Sequence, residues 1–234
     1  MIKVAASIMC GNPLKIGEEL ERLENAKVDM LHCDVMDGTF VHNLGMGLYV
    51  IEAIKNKTKI PLDVHLAIVK PERYLKDLAK IGVDIAAFHV EAAGSLVNVV
   101  KEIKTLGMKA CAVLNPETPV SSIKDILDEL YMVNILTVHP GFSGQRIIPE
   151  TINKIRELKH ILLERNLKTL IEVDGSINIK TLPMVIPAGA DVLVAGTSSM
   201  FQGEHADYKA KADELRSAAY NILKEAQQIK NRQQ

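Results

Sequence analysis

Eight short apolar runs, rich in β-branched residues, recur along the chain, and segments of helical period separate them. The runs are Lys3–Ile8, Asp29–Asp34, Leu62–Leu66, Ile85–His89, Lys109–Leu114, Val133–Val138, Thr169–Asp174 and Val192–Ala195. Between them lie Leu14–Ala26, Pro71–Lys80, Ser95–Leu106, Ser121–Leu130 and Pro149–Arg165, which carry charges on one face and Leu or Ile at i, i+3, i+4 spacing. The helical signal is weakest at Leu48–Lys55, and Lys209–Lys230 reads as a terminal helix. Strands alternating with helices build βαβ units and a parallel sheet. Eight units in 234 residues leave about 29 residues each, which fits an α/β fold of the TIM (β/α)8 barrel type. The competing arrangement is a doubly wound open sheet. Its dinucleotide loop GxGxxG is missing, because the first strand runs into Ile8-Met9-Cys10-Gly11-Asn12. No linker or shift in composition divides the chain, so a single domain over residues 1–234 is expected.

Charge narrows the partners. Lys and Arg total 28 against 29 Asp and Glu, a formal net charge of −1. Such a chain has no overall attraction for nucleic acid or for an anionic membrane. Trp is absent and aromatics are 4%, which removes the usual platforms for stacked bases. Any anionic ligand must be held by local backbone dipoles or by a bound cation. The cysteines, Cys10, Cys33 and Cys111, are odd in number and form no CxxC. That pattern suits a reducing cytoplasm better than a disulfide framework. The start MIKVAASIMC lacks the basic region and apolar core of a signal peptide, and no apolar run is long enough to span a bilayer. A cytoplasmic location is expected.

In a barrel of this kind the chemistry lies at the C-terminal ends of the strands. The polar residues there are Ser7, then His32 and Asp34, then Asp63 and His65, then Glu172 and Asp174. Side chains alternate along a strand, so His32 and Asp34 share one side while Cys33 faces the other. If the shared side is the interior, His32, Asp34, His65 and Asp174 converge. Two imidazoles and two carboxylates suit one divalent cation: Zn first, with Fe, Mn or Mg as alternatives. Cys33 is expected to pack against the surrounding helices. Glu172 is expected inside the barrel, below the site.

Glycine-rich segments follow three consecutive strands: Pro140-Gly141-Phe142-Ser143-Gly144-Gln145, Asp174-Gly175-Ser176 and Ala195-Gly196-Thr197-Ser198. Glycine lets backbone N–H groups approach an anion closely, and barrels of this kind commonly seat phosphate after strands seven and eight. A small phosphate ester needs no basic cluster, so the near-zero net charge excludes only large polyanions.

Taken together, Ala6-Ser7-Ile8, His32-Cys33-Asp34-Val35-Met36-Asp37-Gly38, Asp63-Val64-His65-Leu66, Leu114-Asn115-Pro116-Glu117-Thr118-Pro119, the PGFSGQ segment and Glu172-Val173-Asp174-Gly175 resemble the ribulose-phosphate 3-epimerase family over nearly the whole chain. The resemblance implies a cytoplasmic, metal-dependent isomerase of carbohydrate metabolism in the pentose phosphate pathway, acting on a small sugar phosphate and assembled as a homo-oligomer. It implies that His32, Asp34, His65 and Asp174 bind the metal and that Asp34 and Asp174 are the acid/base pair. It also implies that Ser7, His65, Gly141, Gly144, Gly175, Ser176, Gly196 and Thr197 bind the substrate. The reaction so implied takes D-ribulose 5-phosphate to D-xylulose 5-phosphate through an enediolate whose charge the metal stabilises.

Several positions depart from the family pattern. Ala67 and Leu136 stand where Met is usual, His139 where a shorter polar or acidic residue is common, and His42 where Pro is usual. Gly175-Ser176, Gly196-Thr197 and Asn115-Pro116-Glu117-Thr118-Pro119-Val120 look more like the allulose-6-phosphate 3-epimerase branch. The alternative substrate pair is therefore D-allulose 6-phosphate and D-fructose 6-phosphate. A non-catalytic sugar-phosphate sensor is a further reading of Ala67, Leu136 and His139. A Schiff-base aldolase would need a lysine at a strand end, and no candidate strand ends in one.

Overall fold

The computed structural model describes residues 2–233; Met1 and Gln234 lie outside the described residues. Eight parallel strands close into a barrel in sequence order: β1 (Lys3–Ser7), β2 (Met30–Met36), β3 (Leu62–Ala67), β4 (Ile85–His89), β5 (Lys109–Leu114), β6 (Met132–Leu136), β7 (Leu170–Asp174) and β8 (Val192–Ala195). The ring shuts where Ala5 pairs with Val194. The α/β barrel expected from the alternating pattern is the fold observed.

Inward side chains fill the barrel from below. Ala5, Met30, Ala87, Cys111, Met132 and Val194 are buried together as a core of their own. Outward residues pack against the helices. Cys33 is among them, as strand alternation requires. All three cysteines are free.

The outer layer holds α1 (Ile16–Asn25), α2 (Leu48–Lys57), α3 (Leu75–Ile81), α4 (Leu96–Thr105), α5 (Thr151–Glu164), α6 (Leu182–Ala188) and α7 (Tyr208–Gln233). Their apolar stripes seat them: Leu20 and Leu23 of α1, Ile51 and Ile54 of α2, and Leu158 and Leu162 of α5 are buried. Ser95 caps α4 by accepting from the Asn98 N–H.

Three elements differ from expectation. Residues 121–130 form no α-helix but two 3₁₀ turns, Val120–Ile123 and Leu127–Glu129. Val120, Ile123 and Ile126 are buried at a spacing of three, the period of a 3₁₀ turn, and Ser121, Ser122, Asp125 and Asp128 are poor helix formers. The sequence gives no clear sign of α6, because Pro183 stands at its start and Pro187 inside it. Its Leu182, Val185 and Ile186 are buried all the same. Strand β6 also stops at Leu136, short of Val138: the Thr137 N–H makes the last ladder bond, to the Asp174 carbonyl at 2.7 Å, where β7 itself ends, and the Thr137 carbonyl accepts from the Ile148 N–H. No helix among the described residues is long and apolar enough to cross a membrane.

Candidate active site

Strand register assembles the site. His32 of β2 lies beside Ser7 of β1 and Asp63 of β3, and Asp34 lies beside His65. Asp174 ends β7, next to Leu136 of β6. The side chains of Ser7, His32, Asp34, His65 and Asp174 point inward toward the C-terminal end, with Asp63 below them. One ligand atom from each of His32, Asp34, His65 and Asp174 falls within 4.8 Å of the others. The sequence expectation that these four converge is met.

The central group is His32, which is closed to solvent. Its Nδ1 lies 2.6 Å from Asp63 Oδ2. Its Nε2 has no hydrogen-bond partner, although it lies 3.4 Å from Asp34 Oδ1 and 3.6 Å from Asp174 Oδ2. A buried ring nitrogen left bare between two carboxylates and a second imidazole is the donor set of a divalent cation. His65 faces the same point, with Nδ1 3.0 Å from Asp34 Oδ1. Ser7 Oγ donates to Asp34 Oδ2 at 3.2 Å. The residues present therefore fit a metal ion.

Electrostatics separates the two carboxylates. Burial acts to raise Asp34, but the His32 and His65 imidazoles outweigh it and hold that carboxyl well below its usual range. Burial raises Asp174; His32 opposes this, and the nearby Asp34 charge adds to the rise. Burial lowers His32, yet Asp34 and Asp63 overcome it and push the imidazole well above its usual value. Two carboxyl groups pushed in opposite directions in one cleft is the pattern of an acid/base pair.

A cleft opens above these groups. Its lining includes every residue expected to meet substrate: Ser7, His65, Gly141, Gly144, Gly175, Ser176, Gly196 and Thr197. Gly175 is irreplaceable on geometry. Its φ is +116°, and a Cβ there would stand 2.5 Å from Val138 Cγ2 and 2.9 Å from the Val138 nitrogen. Ser176 takes φ +56°, unusual for a residue with a side chain. The loop after β6 is tied down on two sides. Asn43 Nδ2 donates to the Gly141 carbonyl at 2.6 Å, and Gln145 Nε2 donates to the His139 and Phe142 carbonyls. His139 and Leu136 line the cleft too, and His139 Nε2 turns to Glu117 Oε1 at 2.6 Å.

Sequence reasoning gave Asp63 no role and passed over His89, Glu91 and Asn134. Asp63, His89 and Asn134 are fully buried, and Glu91 is half-buried. Glu172 sits below the site as expected, accepting from Asn134 Nδ2 at 2.8 Å. The period of two was the available signal: Asp63 precedes His65 by two residues, and Glu91 follows His89 by two.

A closed βα barrel with imidazoles and carboxylates gathered at the C-terminal ends of its strands defines an enzyme of the TIM-barrel class. The defining pattern of the Ribulose-phosphate 3 epimerase family matches residues 3–201, and the chain belongs to that family of carbohydrate isomerases. The Ribulose-phosphate 3-epimerase of Bacillus subtilis (strain 168) is 44% identical over 219 residues, covering 93% of this chain and 100% of the relative. That of Methanocaldococcus jannaschii is 40% identical over 223 residues, covering 95% and 93%. Among solved structures, KGPDC from Streptococcus mutans superposes with a TM-score of 0.72 at 13% identity, covering 94% of this chain and 98% of that one; this likeness concerns the fold alone.

Proposed function

We propose that the protein epimerises carbon 3 of a ketose phosphate, interconverting D-ribulose 5-phosphate and D-xylulose 5-phosphate. The observation that carries this reading is the placement of Asp34 and Asp174 on β2 and β7, both facing His32 Nε2 and pushed to opposite protonation tendencies. Epimerisation removes a proton from one face of a carbon and returns one to the other. In this reading one carboxylate, Asp34, takes the proton from carbon 3 and Asp174 returns one to the opposite face. The roles exchange in the reverse direction.

His32, Asp34, His65 and Asp174 would hold one divalent cation, with Zn best suited to two imidazoles and two carboxylates. When bound, the cation supplies Lewis-acid stabilisation of the negative charge that develops on the substrate oxygens. Ser7 holds Asp34 in orientation through its 3.2 Å hydrogen bond. Gly141, Gly144, Gly175, Ser176, Gly196 and Thr197 form the wall that takes the phosphate. A reducing cytoplasm fits the three free cysteines. The exposed Leu14, Leu44 and Tyr49 support a homo-oligomer, which sedimentation velocity reads directly.

D-Allulose 6-phosphate is the second reading, and Ala67 favours it. This short side chain, where Met is usual in the family, lines the cleft near His65. Incubation of the metal-loaded protein with each sugar phosphate in deuterated water tests both readings through exchange at carbon 3. The faster exchange names the substrate. Absence of exchange on either ketose would sink the enzymatic reading and leave that of a sugar-phosphate sensor.

A further inference from the structure

A line of hydrogen bonds runs from the site outward through β4, and none of the roles above uses it. His65 Nε2 lies 2.9 Å from His89 Nε2, and His89 Nδ1 lies 3.2 Å from Glu91 Oε2. The other Glu91 oxygen, Oε1, accepts from the Asn115 N–H at 3.0 Å and from the Thr118 hydroxyl. The Asn115 loop is pinned in turn, because Lys154 Nζ donates to the Asn115 and Pro116 carbonyls at 2.6 and 2.8 Å. His89 is fully buried, stacked on His65 at 5.0 Å between ring centroids and covered by the Phe40 ring at 4.6 Å.

We propose that His89 and Glu91 are positioning residues that fix the tautomer of His65 and so aim its Nδ1 lone pair at the cation. This rests on the metal reading given above. With both imidazoles neutral, as cation binding at His65 requires, only one proton arrangement satisfies the line. A carboxylate only accepts, so Glu91 Oε2 requires a hydrogen on His89 Nδ1. A neutral imidazole carries one N–H, so His89 Nε2 is an acceptor. His65 must then donate from Nε2, which leaves its Nδ1 bare. That bare nitrogen lies 3.0 Å from Asp34 Oδ1. Two acceptors at that distance repel unless a cation stands between them. The chain of bonds therefore prepares the site for metal from a residue two side chains away.

Glu91→Gln reverses the line with little change of shape. The Asn115 N–H still needs an acceptor, so the amide oxygen stays on it and the NH₂ group turns to His89 Nδ1. His89 then takes its hydrogen on Nε2, and His65 is driven to carry its own on Nδ1, against the metal. Two measurements test this. Titration with Zn²⁺ in competition with a chromophoric chelator should give the Glu91→Gln protein an affinity lower by about 10–100-fold. In ¹⁵N-histidine-labelled wild-type protein loaded with Zn²⁺, long-range ¹H–¹⁵N spectra should show His65 as the Nε2–H tautomer. A hydrogen on His65 Nδ1 in that protein would overturn the proposal, even if Glu91→Gln failed to fold. An affinity of Glu91→Gln within about twofold of wild type would overturn it as well. A wild-type protein that takes up no Zn²⁺, Mn²⁺ or Fe²⁺ would instead overturn the metal reading itself, and this inference with it.

Discussion

Asp63 Oδ2 lies 2.6 Å from His32 Nδ1, with both side chains closed to solvent. The carboxylate accepts the Nδ1 hydrogen and leaves Nε2 to face Asp34 and Asp174. Asp63→Ala removes that acceptor and strands a buried N–H. The expected loss is about 1–3 kcal/mol of folding stability, read by urea unfolding. Zn²⁺ affinity should also fall by about 10–100-fold in chelator competition, because the ring is no longer oriented. Unchanged Zn²⁺ affinity would show that Asp63 does not orient His32.

The two proposed acid/base carboxylates make a separate prediction. Asp34→Asn and Asp174→Asn keep the side-chain shape and remove proton transfer. Each should lower kcat by at least about 10²-fold, the scale of general acid/base catalysis. Steady-state rates on the preferred ketose phosphate check this, and a variant within about tenfold of wild type would lose its assigned role.

Burial gives the protein an acid weakness at β4. His89 is held neutral, its pKa lowered from 6.5 to about 4. The unfolded chain binds this proton from about pH 6.5 downward, whereas the folded chain resists it until about pH 4. Stability is therefore intact above pH 6.5 and falls as pH drops toward 4, by on the order of 3 kcal/mol. Glu91 adds the same sign at lower pH: burial acts to raise it, but its bonds to His89, Thr118 and Asn115 hold it down to about 2. Chemical denaturation at pH 7.5, 6, 5 and 4 should show the decline, and His89→Gln should flatten it between pH 6.5 and 4.5. A wild-type profile flat over that range would contradict a neutral, buried His89.

The proposed phosphate wall depends on Gly175. Alanine there would keep the left-handed φ of +116° and press its Cβ against Val138. Gly175→Ala should cost at least about 1 kcal/mol and raise KM for the sugar phosphate more than it lowers kcat. Thermal unfolding and steady-state kinetics together check it. A wild-type KM would mean that this turn does not set the phosphate seat.

How much of this was written in the sequence depends on the range of each interaction. Strands β4, β5 and β8 have the bounds that their apolar runs suggest, because local pattern and burial agree there. Strand β6 does not, since its end is set where its partner β7 runs out after Asp174, a neighbour in the barrel but distant in sequence. The convergence of His32, Asp34, His65 and Asp174 was legible because alternation fixes which way each points. The partners of those groups were not. His89 matters only because the β3–β4 contact brings its Nε2 to His65, and Asp63 only because it lies across from His32. A residue's type and spacing give its direction, but its partner is given by the sheet.

The wall around Ala67 offers the sharpest test of substrate size. Ala67 packs with Met36 and Val41 and lines the cleft close to the Asp34–His65 pair. Ala67→Met would narrow the cleft beside that pair while replacing none of the proposed metal ligands or phosphate-wall residues. A change of this size in a pocket discriminates substrates by roughly 10–200-fold. The ratio of kcat/KM for D-ribulose 5-phosphate over D-allulose 6-phosphate should therefore rise by at least about tenfold. Competition between the two sugar phosphates in one reaction measures that ratio directly. If it stays unchanged while Ala67→Met remains folded and active, Ala67 does not set the length of the ketose accepted, and the wall formed by Leu136 and His139 becomes the place to look.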